Sequence, residues 1–343
     1  MPSERLSVRF TAPGSASVTS EPLAAPAAGE VQVRTRLSAI SSGSEMLVYR
    51  GLAPQDLPVD DSLTALSGQF SFPIKYGYAV VGQIEKLGPG VPEEWLGRRV
   101  FAFQPHENFF NARPDDLLPL PDDLTDEEAV FLPNMETAVT LVLDGAPLVG
   151  EQVVVFGQGI VGLLTTALLA RFPLAQLITV DRYPLRRRTS QALGAATCLD
   201  PNAGNFSDML RKALGAQQRY DGADLLFELS GSPPALNEAI AAAAFDSRVV
   251  IGSWYGQKGA TLDLGGRFHR ARLRLISSQV SSLAPQISGR WTKARRLAVA
   301  QENLRTINPA RFITQRFPQT QAAEAYRLLD THPEVTIQVV LTY

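Results

Sequence analysis

Residues 153–162 read VVVFGQGIVG, and this stretch decides the fold. Val153, Val154, Val155 and Phe156 form an unbroken apolar run, the composition of a strand buried on both faces. Gly157-Gln158-Gly159-Ile160-Val161-Gly162 then fits G-x-G-x-x-G and leads into IVGLLTTALLA, which reads as a helix. In that context each glycine has a task. Gly157 permits a tight turn, Gly159 lets the backbone approach a pyrophosphate, and Gly162 lets helix and strand pack closely. The helix start, at Ile160 and Val161, offers unpaired N–H groups and partial positive charge to phosphates. At the end of the next strand, LITV, stands Asp181, 19 residues beyond Gly162, the spacing of an acid that binds a ribose. The alternative is a glycine-rich turn in an α/β protein that holds no ligand.

Outward from this stretch, ADLLFEL, RVVIGS and LRLISS supply further strands, with LRRRTSQALGA and PPALNEAIAAAA helical between strands. Apolar strands alternating with helices predict a doubly wound parallel sheet. Ser230, Gly231 and Gly252, at the ends of two of these strands, join the expected cofactor-binding residues. Upstream, the first hundred residues read as β. Val31, Val33 and Thr35 alternate with Glu30, Gln32 and Arg34, and AVVGQIEKL and RRVFAFQ follow, suggesting a small barrel or sandwich. Gly51 to Phe72 has no clear period and is expected to be a functional or mobile loop. Thr125 with Glu128 fits a capping box. Two amphipathic helices and the closing strand VTIQVVLTY end the chain. The expected division is 1–124, 125–282 and 283–343.

Composition narrows the function classes. The chain has 343 residues, 45% of them apolar, enough for two domains. With 32 basic against 34 acidic residues it carries no footprint for a phosphate backbone, so nucleic acid is not an expected partner. The longest lipid-like run, Gly159 to Ala170, is too short to span a bilayer. Cys198 is the single cysteine, which excludes an internal disulfide and a four-cysteine zinc site. The first ten residues, with Glu4 and Arg5, lack a signal peptide's apolar core. A cytoplasmic location is expected.

Ser42-Gly43-Ser44-Glu45 with Arg50-Gly51, Gly77-Tyr78-Ala79 with Val81-Gly82, and Thr137-Ala138 all precede the glycine-rich stretch. In that order they give the chain a resemblance to the medium-chain dehydrogenase/reductase superfamily, the zinc alcohol dehydrogenase-like proteins, over nearly its whole length. The resemblance implies a GroES-like catalytic domain built from both chain ends, with a Rossmann domain inserted, and a homodimer. It implies cofactor contacts at Thr137, Arg182 and Arg186, the last where related chains carry a lysine reaching the ribose. Two basic residues that touch the pyrophosphate in classical members align with Gly43 and Gln338, so the helix N-terminus is left without a neighbouring cation.

The departures carry information. Where zinc members place metal ligands, this chain has Ser42, Tyr78 and Leu132 or Pro133. Hydroxyls are poor zinc ligands beside thiolate and imidazole, and Leu or Pro cannot ligate. No zinc is therefore expected. In this stretch the chain is similar to the branch of bacteriochlorophyllide dehydrogenases. Ser44 matches the family's hydroxyl relay, and Ser42 and Tyr78 either donate hydrogen bonds to a substrate oxygen or fill vacated space. A tyrosine with a lowered pKa would serve as a general acid. His106 is either a proton carrier facing the cleft or a solvated loop histidine. Glu45 is expected to form a structural salt bridge with Arg50. Glu136 either approaches the nicotinamide or has a structural partner.

The expected function is zinc-independent hydride transfer between NAD(H) and a small alcohol or carbonyl substrate. Asp181 favours NAD over NADP by repelling a 2′-phosphate. Arg182, Arg186, Arg187 and Arg188 act in the other direction. The alternatives are reduction of an enone or quinone, or nucleotide binding without turnover.

Overall fold

A computed structural model describes residues 4–60, 63–218 and 221–343. The chain divides into two compact units: residues 1–133 with 304–343, and residues 134–303. These boundaries lie later than the expected 124 and 282, and ion pairs explain why. The capped helix Asp126–Ala129 is tied to the first unit by Asp126, which pairs with Arg36 and Arg99 at 2.9 and 2.8 Å, and by Glu127, which pairs with Arg316. Residues 293–303 of the helix Lys293–Ile307 are held in the second unit, where Arg296 pairs with Glu136 and Asn303 accepts from Arg171.

The second unit is built on six parallel strands. Numbered along the chain, Gln152–Phe156, Gln176–Val180, Thr197–Leu199, Ala223–Glu228, Ala243–Ile251 and Arg274–Ser277 lie in the order 3-2-1-4-5-6. That is the Rossmann order, with its switch point between the first and fourth strands. The apolar run in the first strand is continuous because both faces are covered. Val153 and Val155 pack with Leu177, Leu225, Phe227 and Val250. Val154 and Phe156 pack on the other side with Ile178, Val180, Leu226 and Val249. Each such side chain fully buried contributes about 1.5–3 kcal/mol, so this sheet is the unit's main source of stability. One boundary differs from the sequence reading. The helix Pro233–Ala242 stops before the end of its alanine run, because Ala243 pairs with Ala223 and begins the fifth strand.

In the first unit, Ile313–Pro318, Gln338–Thr342, Val31–Ile40, Val80–Leu87, Arg99–Ala102 and Leu117–Pro119 form a seven-stranded sheet with Phe109–Ala112, which pairs with Val31–Ile40. The closing strand joins antiparallel to Val31–Ile40, bringing both chain ends into one sheet. The alternation in Val31–Ile40 is broken at Gln32, which is buried and donates to Ala24 O and Asn111 Oδ1 beside a register shift. The Gly51–Phe72 segment is partly anchored: Leu66 and Phe70 are buried in the unit's core, and Val59 N donates to Gly68 O.

Candidate active and cofactor sites

The glycine-rich turn sits at the carboxyl end of the first parallel strand, and its glycines answer to different demands. Gly157 has φ +91°, and a Cβ there would lie 2.6 Å from Ser230 N. A Cβ on Gly162 would overlap the Gly157 carbonyl. Both are required by the protein's own backbone. Gly159 is not. It has an ordinary φ of −66°, and a Cβ there would meet only Arg186 Nη1, at 3.9 Å. The space over Gly159 is thus a cradle that a side chain would fill and the fold does not use. The helix Ile160–Leu169 begins directly behind it, with no side-chain cap on its first N–H groups. An open cradle at an uncapped helix start fits a dinucleotide pyrophosphate.

Gln158, a variable position of the motif, locks this turn. Its side chain is fully buried, donates to Gly157 O at 3.1 Å, and accepts from Thr166 at 2.9 Å. Its backbone N–H donates to Asp181 Oδ2 at 2.7 Å, and Tyr183 N–H donates to Asp181 Oδ1 at 2.8 Å. Asp181 is therefore held by two backbone N–H groups, one on each carboxylate oxygen. Ser230, Gly231 and Gly252 gather around Glu228 at the ends of the fourth and fifth strands. Glu228 is fully buried and accepts from Ser230 N and Oγ and from Tyr255. Gly252 N donates to Glu228 O, and a Cβ on Gly252 would strike Leu141. Gly252 thus serves packing. Nothing in the sequence motif pointed to Gln158 or Glu228, whose roles depend on neighbours distant along the chain.

The arginines separate by partner. Arg187 donates to Asp181 O at 2.8 Å and pairs with Asp200. Arg182 and Arg186 lie 4.6 and 4.8 Å from the Tyr183 ring centroid, Arg182 exposed and Arg186 half-buried. The expectation that no cation neighbours the pyrophosphate loop is corrected by Arg186, the group nearest Gly159. Thr137 is half-buried on the helix Leu132–Gly145. Its neighbour Glu136 is taken up by Arg296, at 2.6 Å, the structural alternative.

In the first unit a chain of hydroxyls converges on Tyr78. Its OH donates to Ser41 Oγ at 2.5 Å and shares a hydrogen bond with Ser44 Oγ at 3.0 Å. Ser41, rather than the expected Ser42, is the serine that Tyr78 bonds beside Ser44. Burial pushes the Tyr78 pKa up, as does the nearby Glu45, against the opposing pull of Ser41 and Ser44. The expected lowered pKa is therefore corrected in sign. Tyr78 stays protonated and acts as a hydrogen-bond donor.

Behind this chain lies a second, fully buried group. Glu45 accepts from Ser41 N at 2.7 Å, from Tyr326 OH at 2.5 Å, and contacts His106 Nε2 at 3.0 Å. The other His106 nitrogen lies 2.7 Å from Ser38 Oγ, which is bonded to Tyr343. His106 is wholly inaccessible and packs against Gly77. It is neither a solvated loop residue nor open to a cleft. The expected Glu45–Arg50 bridge is also overturned, since Arg50 pairs with Asp330 at 2.7 Å on the surface. At the positions compared with zinc ligands stand half-buried Ser42 and Tyr78 and buried Leu132 and Pro133. That donor set, two neutral hydroxyls and hydrocarbon, does not fit a zinc ion.

Comparison with known proteins places these features in a lineage. Residues 161–300 match the family model of zinc-binding dehydrogenases. D-Guloside 3-dehydrogenase of Escherichia coli is 26% identical over 352 residues, covering 97% of this chain and 98% of that one. An alcohol dehydrogenase from Escherichia coli, solved with NADH, superposes with a TM-score of 0.79 at 19% identity over 100% of both chains. A zinc-binding dehydrogenase from Sinorhizobium meliloti, bound to NADP, gives 0.76 at 17% identity, again over 100% of both. A 3-2-1-4-5-6 sheet with its glycine turn, inserted in a β-rich unit closed by the chain's own end, is the architecture these matches share. Residues 161–300 thus match the zinc-binding dehydrogenase family, and over its whole length the chain shares the fold of the medium-chain dehydrogenases/reductases.

Proposed function

We propose that the protein is an NAD(H)-dependent dehydrogenase that interconverts a secondary alcohol and its ketone without zinc. The observation that carries this reading is the cradle at Gly159, kept open by a fold that has no packing need for it. In this assignment the helix start and Gly159 bind the pyrophosphate, and Asp181 takes the ribose hydroxyls and disfavours a 2′-phosphate. The nicotinamide supplies the hydride chemistry when bound. In ketone reduction Tyr78 turns its single O–H from Ser41 to the substrate oxygen, which takes that proton, and Tyr78 regains one from Ser44 Oγ, itself replenished from solvent. Alcohol oxidation runs the same proton transfers in reverse. The neutral donor set at Ser42, Tyr78, Leu132 and Pro133 supports catalysis without a metal Lewis acid.

The guloside dehydrogenase relative makes a sugar secondary alcohol the first substrate to test. NADH fluorescence titration, followed by oxidation assays on glycosides and small diols with product analysis, tests the reading. A ketone product with NAD supports it. Saturation of an enone, or nucleotide binding with no turnover on either class, overturns it. Elemental analysis should find well under one equivalent of zinc, and chelation should leave the fold intact.

The same reading makes the protein a cytoplasmic homodimer. Arg274–Ser277 ends the parallel sheet with one unpaired side, which supports pairing between copies. One unpaired cysteine, Cys198, suits a reducing compartment. Among the described residues no helix is long and apolar enough to cross a membrane.

A further inference from the structure

We propose that His106 is a positioning residue for Tyr78, acting through Glu45 and the Gly77 backbone; this rests on the proposed role of Tyr78 as donor to the substrate oxygen. His106 is wholly buried, so it reaches the reaction only through its neighbours.

Two routes lead from the imidazole to the phenol. The shorter runs through the backbone. Gly77 has φ +121°, and a Cβ there would lie 2.6 Å from His106 Cδ2 and Nε2. The ring thus fills the place another residue's side chain would need and lies against the backbone immediately before Tyr78. The second route is polar. His106 Nε2 lies 3.0 Å from Glu45 Oε2, and since a carboxylate only accepts, this nitrogen carries the hydrogen and donates. Glu45 Oε1 accepts from Ser41 N at 2.7 Å, and Ser41 Oγ accepts from Tyr78 OH at 2.5 Å. A rotation of the carboxylate would carry Ser41 with it and shift the hydroxyl that anchors the Tyr78 oxygen.

The ring is itself fixed. Its Nδ1 lies 2.7 Å from Ser38 Oγ, which is bonded to Tyr343 at 2.8 Å. The His106 carbonyl accepts from Val8 N and Gln319 Nε2. Ser38 stands in register with Val80, two residues beyond Tyr78.

Stability alone does not call for histidine here. His106 and Glu45 are both inaccessible, and replacing buried charged groups by packed hydrocarbon is often neutral or stabilising. A fully satisfied polar set supplies a single geometry instead. Ring, carboxylate and serine satisfy their donors in one arrangement, and that arrangement brings Ser41 Oγ to Tyr78. A displacement of about 1 Å at such a group can cost about a hundredfold in rate.

The test compares wild type, His106→Leu and His106→Gln as full chains, with Tyr78→Phe as reference. Isotope-labelled tyrosine Cζ, read by NMR, reports each hydroxyl's hydrogen bonding without a substrate, and the signal lost in Tyr78→Phe identifies Tyr78. His106→Leu should displace that signal. His106→Gln, which restores an N–H for Glu45, should return it towards its wild-type position. In NAD-linked oxidation of the glycosides and small diols, kcat should fall about tenfold to a hundredfold in His106→Leu and stay within about threefold in His106→Gln, with NADH affinity nearly unchanged in both. Lowered thermal stability with the Tyr78 signal and kcat at wild-type values would make His106 a packing residue and overturn the proposal. Equal losses in the two variants overturn it too, because the N–H would then not matter. If His106→Leu does not fold, Ser38→Ala decides, since it releases His106 Nδ1 and removes only a hydroxyl. A displaced Tyr78 signal with kcat down about threefold or more supports the proposal, and wild-type values overturn it. His106 variants at full rate beside a slow Tyr78→Phe remove this proposal alone, whereas Tyr78→Phe at full rate removes the donor reading and the proposal with it.

Discussion

At the residue scale, the three motif glycines look equivalent in sequence and are separated by the structure. Gly157→Ala places a Cβ against Ser230 N at positive φ, and should destabilise the second unit by about 1–3 kcal/mol in urea unfolding. Gly159→Val meets only the tip of Arg186, so it should leave the unfolding midpoint near native while abolishing NADH binding. A Gly159→Val protein that binds NADH normally would dissociate the cradle from the cofactor. Tyr78→Phe keeps the ring among Tyr76 and its neighbours and removes only the hydroxyl. The turnover rate should fall about 10²–10⁴-fold, the usual cost of losing a positioned proton donor. Stability should change little, because Ser41 and Ser44 can then bond to each other or to water. An unchanged rate with lowered stability would leave Tyr78 a packing residue.

At the element scale, what fixes the hydroxyl chain is the start of the short helix Ser44–Tyr49. It has no side-chain cap, and Glu45 in its first turn reaches back to Ser41 N–H. Tyr326 from the C-terminal helix Ala322–Thr331 and His106 clamp the same carboxylate. Removing one member of such a buried set costs about 3–5 kcal/mol, whereas an exposed pair contributes about 0–1 kcal/mol. Glu45→Ala should therefore lower stability severely, and Arg50→Ala, which breaks only the surface pair with Asp330, should hardly register. Thermal melts of the two variants rank the interactions directly. Sequence reading paired Glu45 with Arg50 because they are close along the chain. The true partners, 61 and 281 residues away, cannot be seen from spacing.

At the scale of the whole chain, the first unit carries an acid-sensitive charge cluster. Glu21 accepts from Lys75 at 2.7 Å and pairs with Arg9, while Glu107 accepts from Lys75 and Arg5. Burial pushes Glu21 up, but its bonds with Lys75 and Arg9 outweigh this and bring its pKa from 4.5 to about 2. A depressed carboxylate contributes stability above its unfolded pKa and loses it as pH falls through the folded one. Stability of the first unit should thus be constant above about pH 5 and decline from pH 4.5 towards 2. Glu21→Gln should flatten that decline. Urea midpoints between pH 6 and 2.5 measure it, and an identical acid limb in the variant would assign the loss to other carboxylates.

The amino-acid sequence alone determined what local periodicity and turn chemistry encode. The apolar run at 153–156, the glycine spacing, Asp181 and the Thr125 capping box are short-range signals, and each occupies its expected element. The parallel sheet followed because only strands covered on both faces tolerate such runs. Tertiary structure decided everything that rests on distant partners. It buried His106 and Glu45 together, chose Ser41 over Ser42 as the partner of Tyr78, and raised the Tyr78 pKa through desolvation. It also set Arg186 beside Gly159. A side chain's environment depends on which segments the fold brings against it, and spacing along one strand or helix carries no record of that.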